Sequence, residues 1–486
     1  MRPPRPLLCA TLTANRMADL CAQRDRVDGA DLVEMRLDAV TDPDVRAALA
    51  GRRLPTVVTC RPQSQGGLFR GSEEERRTLL REALDLGADF VDLEWCRGFD
   101  DWIRQRDGRG VVLSHHDFSG VPSDFEAIVA AMAATGAEVV KVAVMVSRLS
   151  DCVRLAEVGR RYPDRRLVLI GMGEAGVLTR VCPARFASCW TYAGAAVAPG
   201  QLTVEQMRRE FGFARVGAGT ALYAVLGRPV SHSVSPAMHN AAYDALGVDA
   251  VYVPLAAASV DDFVGAADAL GLKGASVTAP FKQQVLPYLA AVDATSAAIG
   301  AVNTVTRRAD GWHGSNTDAA GFLAGFGEGI GAGVRAAILG AGGAARAAAF
   351  ALRGAGGVVT CYARSGSSAA TLAAALGVEA AARPVPAGSW DVLVNATPVG
   401  THPGGGVSAF PEGAYTGGTV YDLVYNPPVT RLMREAAEGG CRTIGGLEML
   451  VEQARLQIRH WTGRLPDAAV LRDAAQWKLS TFTDPS

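Results

Sequence analysis

Short apolar runs alternate with amphipathic stretches along the first 215 residues of the chain. Eight runs are short and aliphatic enough to form buried strands. The stretches between them, such as SEEERRTLLREALDL and SDFEAIVAAMAAT, begin with Ser and acidic residues, as helices do. The runs are LLCATLTA (7–14), DLVEMRLDAV (31–40), PTVVTCRP (55–62), FVDLEW (90–95), VVLSHHDF (111–118), VVKVAVMV (139–146), LVLIGM (167–172) and SCWTYAG (188–194).

Eight strands alternating with helices predict an α/β fold with an N-terminal (β/α)8 TIM barrel. A doubly wound open sheet is the alternative arrangement. In a barrel, catalytic groups lie at the C-terminal ends of the strands. Polar residues late in a run, or in the loop after it, are Glu34, Arg36, Arg61, His115, His116, Lys141 and Arg180.

Lys141 stands inside the apolar run VVKVAVMV. Lysine is rarely buried without a partner, and a dry pocket favours its neutral amine, which can form a Schiff base with a ketone. A nearby His can then remove the adjacent proton and protonate a leaving hydroxyl. Arg and Glu groups suit a carboxylate and hydroxyls. The first half is therefore predicted to be an imine-forming lyase for a small anionic hydroxyketone.

Each of these residues also has a simpler interpretation. Glu34 and Arg36 could form a structural ion pair, and His115 or His116 could face a helix. Lys141 could extend from a strand end to solvent. The shared position at strand ends favours a common site instead.

A second α/β part opens at about Ala221, after a last helix and the linker Gly217-Ala218-Gly219. Its final segment, LEMLVEQARLQIRHWTG, has a helical pattern. The strand-like runs are YAVLG, AVYVPL, GASVTAPF, AVNTVTRR, AAILGAGGAARAAA, VVTCYARS, DVLVNATPVG and TVYDLVYNP.

The segment AAILGAGGAARAAA places Gly340, Gly342 and Ala345 in G-x-G-x-x-A spacing between a strand and a helix. This arrangement suits a dinucleotide pyrophosphate. The next strand ends in Arg364 and Ser365 without an acidic residue. An Arg at this place favours NADP over NAD, although a surface Arg beside a structural turn is the alternative.

Lys282 in SVTAPFK and Asp318 in GSNTD are the candidate chemistry of the second half. Hydride transfer to a ketone needs a proton donor, which a Lys steadied by a carboxylate can provide. Alone, such residues are more often a solvated ion pair. Beside a glycine-rich turn they indicate an alcohol dehydrogenase.

Composition and charge indicate which partners, membrane segments and cysteine chemistry to expect. The net charge is −1, which gives no indication of a nucleic-acid or membrane partner. No apolar run reaches 18 residues, so we expect no signal peptide and no transmembrane helix. Nine scattered Cys fit reduced thiols in a cytoplasmic protein without a metal site.

Motifs of the first half resemble type I 3-dehydroquinate dehydratase across residues 7–215. They are EMRLD (34–38), TCRPQSQGG (59–67), SHHDF (114–118), VVKVAVM (139–145), GVLTRV (176–181) and APGQ (198–201). The resemblance implies that Lys141 forms the imine and His116 is the general acid/base. It implies that the substrate is held by Glu34, Arg36, Arg61, Arg180 and Gln201.

Two positions differ from that family. Gln65 stands where it usually has a Glu that places and tunes the His. Gln can hydrogen-bond an imidazole but brings no charge. Val197 replaces a Ser and loses a hydroxyl contact. We expect activity, with an impaired dehydratase as the alternative.

The second half resembles shikimate dehydrogenase across residues 221–486. The motifs are GRPVSHSVSP, SVTAPFK, AVNTV, GSNTD, the glycine-rich turn, NATPVG, YDLVYNP and GGLEMLVEQA. The resemblance implies that Lys282 and Asp318 are catalytic. The implied substrate-binding residues are Ser233, Ser235, Thr278, Asn303, Tyr425 and Gln453. The implied NADP-binding residues are Gly340, Gly342, Gly343, Ala344, Arg364, Ser365 and Thr397.

Two positions of the second half also differ from the shikimate dehydrogenase family. Ala363 replaces the Asn of the family's N-R-T segment, and Ser276 replaces a common Asn. Retention of both Ser233 and Ser235 favours shikimate over quinate.

Together the halves resemble the bifunctional dehydratase–dehydrogenase of the shikimate pathway. Dehydration of 3-dehydroquinate would give 3-dehydroshikimate, which NADPH would reduce to shikimate. We expect a cytoplasmic monomer or homodimer with small-molecule substrates. A quinate dehydrogenase with a degraded barrel and a non-catalytic metabolite sensor are the alternatives. The expected domains are a barrel (1–215), a two-part shikimate-binding domain (221–322 and 446–486) and a Rossmann domain (323–445).

Overall fold

The structure is a computed structural model of the 486-residue chain and describes residues 5–95, 98–194, 199–327, 330–411 and 413–483. Its contacts divide the chain into two compact units. The first comprises Met1–Leu222, Pro229–Ser231 and Asp249–Leu272, and the second comprises Tyr223–Arg228, His232–Val248 and Lys273–Ser486. Among the described residues, no helix is both long and apolar enough to span a lipid bilayer.

Eight parallel strands form the core of the first unit. They pair in the order β7-β6-β5-β4-β3-β2-β1-β8, and a single bridge between Leu167 and Ser188 joins the two ends. The sheet is therefore a nearly closed barrel, and the open-sheet alternative is wrong. The strands are β1 (Leu7–Leu12), β2 (Leu32–Arg36), β3 (Thr56–Thr59), β4 (Phe90–Glu94), β5 (Val111–Asp117), β6 (Val139–Met145), β7 (Arg166–Met172) and β8 (Trp190–Ala193).

Aliphatic side chains fill the barrel interior around Trp190, which is completely buried. Each fully buried Val, Leu or Ile stabilises the fold by about 1.5–3 kcal/mol. Outside lie α1 (Met17–Arg26), α2 (Val45–Leu49), α3 (Glu73–Asp85), α4 (Asp100–Gln105), α5 (Phe125–Ala134), α6 (Leu149–Arg161) and α7 (Val177–Val181). Shorter helical turns are Leu37–Ala39, Gln63–Gln65, Glu174–Gly176, Pro183–Phe186, Gln206–Glu210 and Phe213–Arg215.

Local sequence explains where these helices begin. Ser72 accepts a hydrogen bond from the backbone N–H of Glu75, whose carboxylate accepts one from the Ser72 N–H, so α3 starts with a capping box. Arg180, expected in a loop after β7, lies instead on the short helix α7.

The chain continues through the second part with alternating elements. These are β9 (Ala221–Gly227), α8 (Ser235–Leu246), β10 (Ala250–Ala256), α9 (Val260–Ala267), β11 (Leu272–Val277), α10 (Phe281–Gln284), the turn Leu286–Tyr288, β12 (Ala291–Val292), α11 (Ala294–Ile299), β13 (Thr304–Arg308), β14 (Gly311–Ser315) and α12 (Asp318–Ala324). The segment with β10 and α9 belongs to the first unit. In the second unit, β9, β11, β13, β14 and β12 are hydrogen-bonded neighbours in that order.

A second sheet of the same unit is parallel throughout. Its strand order, β17-β16-β15-β18-β19-β20, is that of a Rossmann fold. The order reverses beside β15, whose C-terminal end carries the glycine-rich turn. The elements are β15 (Arg335–Leu339), α13 (Gly343–Gly354), β16 (Val358–Tyr362), α14 (Gly366–Leu376), β17 (Glu379–Ala381), β18 (Val392–Asn395), β19 (Thr419–Asp422), α15 (Arg431–Glu438), β20 (Arg442–Gly445), α16 (Gly446–Thr462) and α17 (Ala468–Thr483).

Candidate active sites

An open cavity of about 620 Å³ lies at the C-terminal ends of the barrel strands. The catalytic and substrate-binding residues that the family resemblance implies for the first half come from different strands and loops, and all of them line this cavity. They are Glu34, Arg36, Arg61, His116, Lys141, Arg180 and Gln201.

Lys141 is 6% exposed and is surrounded by acceptors. Its Nζ donates to Asp92 Oδ2 at 3.1 Å and to Glu34 Oε1 at 3.5 Å. The same nitrogen lies 4.1 Å from the centre of the Tyr192 ring. The expectation of a dry apolar pocket was therefore wrong, because two carboxylates and an aromatic ring face contact the amine. An alternative, in which Lys141 extends to solvent, is also wrong.

Asp92 joins Lys141 to a buried ion-pair network. Arg61 donates to Asp92 at 2.7 Å and to Glu94 at 2.9 Å, and Arg76 donates to Glu94 at 2.7 Å. Burial alone would raise the pKa of Asp92, but Arg61 and Lys141 hold it well below its usual range. Burial raises the pKa of Glu94, which Arg61 only partly offsets. The network fixes Arg61 at the cavity wall.

His116 lies in the cavity as a neutral imidazole. Burial lowers its pKa well below the usual value, and the nearby Arg61 and Lys141 lower it further. Its Nδ1 has no hydrogen-bond partner among the described residues. Gln65, which could have contacted the imidazole, instead accepts a hydrogen bond from the His116 backbone N–H at 3.2 Å. His115 packs edge-on against Trp95 at 5.7 Å and does not line the cavity.

The anion-binding candidates differ in how they are paired. Arg36 donates twice to Asp38, at 2.8 Å each, so the proposed Glu34–Arg36 pair is wrong. Arg180 is 2% exposed and has no carboxylate within ion-pair distance in the described ranges. Burial lowers its pKa to about 10. Such a cation is matched to an anionic ligand. Val197 lies outside the described residues.

Lys282 and Asp318 meet in the second unit. The lysine Nζ lies 2.5 Å from Asp318 Oδ2, and the two side chains are only 17% and 6% exposed, so the pair is not a solvated one. Asn303 Nδ2 donates to Asp318 Oδ1 at 2.8 Å and lies 3.4 Å from Gln453 Oε1. Four of the predicted residues thus form one network, placed by α10, α12, α16 and the residue before β13.

Four other predicted substrate-binding residues do not take part in these hydrogen bonds. Ser233 accepts from the N–H of Ser235 at the start of α8. Thr278 directly follows β11, and Tyr425 follows β19. Their roles stay predictions.

The glycine-rich turn fits a dinucleotide. Gly340 has a φ of +121°, and a Cβ there would come within 2.9 Å of the Ala396 carbonyl oxygen. Gly342 is the N-cap of α13 and has no atom within 4 Å of a notional Cβ, which leaves the helix N-terminus open to a phosphate. Gly343 lies against Lys282, whose Cδ would be 2.8 Å from its Cβ. The turn and Lys282 are thus adjacent.

The other cofactor candidates surround the same edge. Arg364 is exposed just after β16, and Ser365 caps α14 by accepting from the Ser368 N–H. Thr397 Oγ1 donates to Asn395 Oδ1 at 2.7 Å. These positions suit an adenosine phosphate, and the role of Arg364 stays a prediction.

Sequence reasoning missed several residues that contact the predicted ones. They are Asp92, Glu94 and Tyr192 in the barrel, and Thr317 beside Asn303 in the second unit. The scarcity of lysine was a signal for the residues that were predicted: the chain has only four lysines, and two of them are Lys141 and Lys282.

Family models match most of the chain. The model for type I 3-dehydroquinase covers residues 8–216. The shikimate dehydrogenase substrate binding domain covers residues 225–305, and the shikimate 5'-dehydrogenase C-terminal domain covers residues 446–476.

Known proteins agree with these matches. A bifunctional 3-dehydroquinate dehydratase/shikimate dehydrogenase from Arabidopsis thaliana, described as chloroplastic, is 33% identical over 94% of this chain and 82% of its own length. A shikimate dehydrogenase (NADP(+)) from Moorella thermoacetica is 43% identical over 53% of this chain and 93% of its own. A crystal structure of a shikimate dehydrogenase with NADP+ has a TM-score of 0.52 and 33% identity, covering 54% of this chain and 97% of that one. The chain therefore belongs to the family of bifunctional 3-dehydroquinate dehydratases/shikimate dehydrogenases.

Proposed function

We propose that this chain catalyses two successive reactions. The barrel dehydrates 3-dehydroquinate to 3-dehydroshikimate through an imine on Lys141, and the second half reduces 3-dehydroshikimate to shikimate with NADPH. Membership of the family supports both activities. The observation that carries the proposal is Lys141, the single lysine of the first 272 residues, buried in one cavity with His116 and Arg180. Among the described residues, no carboxylate lies within ion-pair distance of Arg180.

In the dehydratase, Arg180 holds the substrate carboxylate. Lys141 gives up a proton, for which Glu34 at 3.5 Å is the cavity-lining acceptor, and its amine attacks the ketone carbon. Loss of water leaves an iminium that makes the neighbouring C–H acidic. His116, neutral in its buried position, removes this proton and later delivers one to the leaving hydroxyl. Hydrolysis of the imine returns Lys141.

In the dehydrogenase, Gly340, Gly342, Gly343 and Ala344 would hold the pyrophosphate, with Arg364 at the 2′-phosphate. NADPH supplies the hydride when it is bound. Lys282 holds a proton at the ketone oxygen as negative charge develops there, and Asp318 keeps the lysine in place.

The proposed domains are 1–215, then 221–322 with 446–486, then 323–445. The matched family segments support the boundaries near 215 and 446, and the parallel sheet from β15 to β20 lies within 323–445. A cytoplasmic location and a monomer or homodimer stay predictions, which fractionation and analytical ultracentrifugation would test.

The first test follows 3-dehydroquinate without nicotinamide. We expect the wild type to form 3-dehydroshikimate and Lys141→Ala to form none. Borohydride reduction should fix the product to Lys141, and peptide mapping is simple because no other lysine precedes Lys273. Lys273→Ala is the matched control, since Lys273 is exposed on β11. An inert wild type would favour an impaired barrel.

The second test follows NADPH oxidation with 3-dehydroshikimate. Lys282→Ala should abolish turnover while the dehydratase rate of the same protein is unchanged. Faster oxidation of quinate with NAD than of shikimate with NADP would favour a quinate dehydrogenase. Binding of both metabolites without turnover would favour a sensor.

A further inference from the structure

Buried hydrogen bonds lead from Gln457 on α16 to the Lys282–Asp318 pair. Gln457 and Thr304 are completely buried, and Asn303 is 1% exposed. We infer that Gln457 and Thr304 are positioning residues for the dehydrogenase reaction, because they fix the orientation of the Asn303 amide and through it that of Asp318. The inference rests on the dehydrogenase activity proposed above.

The direction of the hydrogen bonds is set at a backbone carbonyl, which can only accept. Gln457 Nε2 lies 3.2 Å from the Asn303 carbonyl oxygen and 3.0 Å from Thr304 Oγ1. The amide nitrogen, with its two hydrogens, therefore donates to both. On the other side, Gln457 Oε1 accepts from Ser276 Oγ at 2.7 Å. These three bonds hold the Gln457 amide in one orientation.

The Thr304 hydroxyl couples the orientation of the Gln457 amide to that of the Asn303 amide. Because Thr304 Oγ1 accepts from Gln457, its own hydrogen points to Asn303 Oδ1, 2.8 Å away. The Thr317 N–H donates to the same oxygen at 2.8 Å. With donors on Oδ1, Asn303 Nδ2 faces the other way, towards Thr317 Oγ1 at 2.9 Å and Asp318 Oδ1 at 2.8 Å.

A reversed Asn303 amide would aim its oxygen at the Asp318 carboxylate. Two acceptors in contact repel each other, so the carboxylate would turn away from Lys282. The Thr317 N–H still favours the observed orientation, so losing the Thr304 bond should weaken it rather than abolish it. We expect kcat to fall about tenfold, which is the upper end of the effect of one hydrogen bond between neutral groups.

The test compares Gln457→Leu, Thr304→Val and the double variant. Each single variant should lower the dehydrogenase kcat about tenfold, with the KM for NADPH within about twofold of the wild type. The double variant should lose no more than one single variant does, because both changes break the same sequence of bonds. Thr304→Ser keeps the hydroxyl and should restore kcat. Gln476→Leu, on the exposed face of α17, is the matched control.

The dehydratase rate and NADPH binding of each variant report folding. If Gln457→Leu fails to fold, Thr304→Val, which preserves shape, carries the comparison with Thr304→Ser. Unchanged kcat in Thr304→Val, equal kcat in Thr304→Val and Thr304→Ser, or losses that add in the double variant would overturn the inference while leaving the proposed function intact. A wild type that does not reduce 3-dehydroshikimate would overturn both.

Discussion

Replacing Asp92 with Asn would remove a buried negative charge from beneath the dehydratase cavity. Asp92 is completely buried and accepts from Arg61 at 2.7 Å, Lys141 at 3.1 Å and Ser114 at 2.5 Å. Arg61 and Lys141 are only 3% and 6% exposed, so water would replace the carboxylate poorly. Asn has the same shape and keeps one carbonyl oxygen, so the change tests charge rather than packing.

Removing one partner of a buried ion pair costs about 3–5 kcal/mol. Glu94 still pairs with Arg61 at 2.9 Å, and Glu34 still contacts Lys141 at 3.5 Å. We therefore expect the lower end of that range, about 3 kcal/mol. For a unit of roughly 150–250 residues, each kcal/mol lowers Tm by about 2–4 °C, so the barrel transition should fall by about 6–12 °C.

Scanning calorimetry of the full chain, paired with the dehydratase rate, measures this effect. Asp101→Asn is the matched control, because Asp101 pairs with Arg104 on the surface, where the side chains are 76% and 68% exposed. That change should lower Tm by less than about 2 °C. If Asp92→Asn lowers Tm no more than the Asp101→Asn control does, the view that the Asp92 carboxylate stabilises the site is refuted.

Three further predictions concern charge and pH. Gln65→Glu would bring a carboxylate towards His116 and raise the depressed pKa of that imidazole. The acid limb of the dehydratase pH–rate profile should therefore move to higher pH, and the rate near pH 7 should rise about tenfold. An unchanged profile would show that the carboxylate does not reach the ring. Arg364→Ala should raise the KM for NADPH about tenfold and leave that for NADH unchanged, and equal effects on both would contradict a 2′-phosphate contact. Burial lowers the pKa of His239 to about 4. The unfolded chain therefore binds the proton first, and stability is lost as pH falls from about 6.5 towards about 4, by about 2 kcal/mol at pH 5. His239→Gln should shrink the fall in Tm between pH 7 and pH 5, and the same fall in both proteins would count against this linkage.

Strand ends made the barrel site predictable. Parallel strands of a barrel place their C-terminal ends at one edge, so Glu34, Arg61 and Lys141 could be grouped without knowing their contacts. The ion pairs between these side chains could not be predicted from strand ends. Arg36 pairs with Asp38, two residues along the chain, whereas Lys141 pairs with Asp92, 49 residues away. Partner choice depends on side-chain direction within the closed barrel.

In the second half, too, the sequence predicted some elements and residues but not the contacts between them. Long apolar runs gave most of its strands, but β12, β14, β17 and β20 are short or partly exposed and had no such run. Helix α17 was missed as well. Lys282 and Asp318 follow from motifs, while Thr317 and Gln457 are ordinary polar residues whose importance comes only from what they contact.

The contact between Gly343 and Lys282 has a consequence for annotating genomes. A side chain at Gly343 would meet the lysine's aliphatic stem, with Cδ only 2.8 Å from the new Cβ. Such a substitution would push against the Lys282 side chain even if the Rossmann sheet folded normally. Because Lys282 is proposed to hold the proton for ketone reduction, loss of this glycine in a homologous sequence would count against that activity even where the architecture is kept.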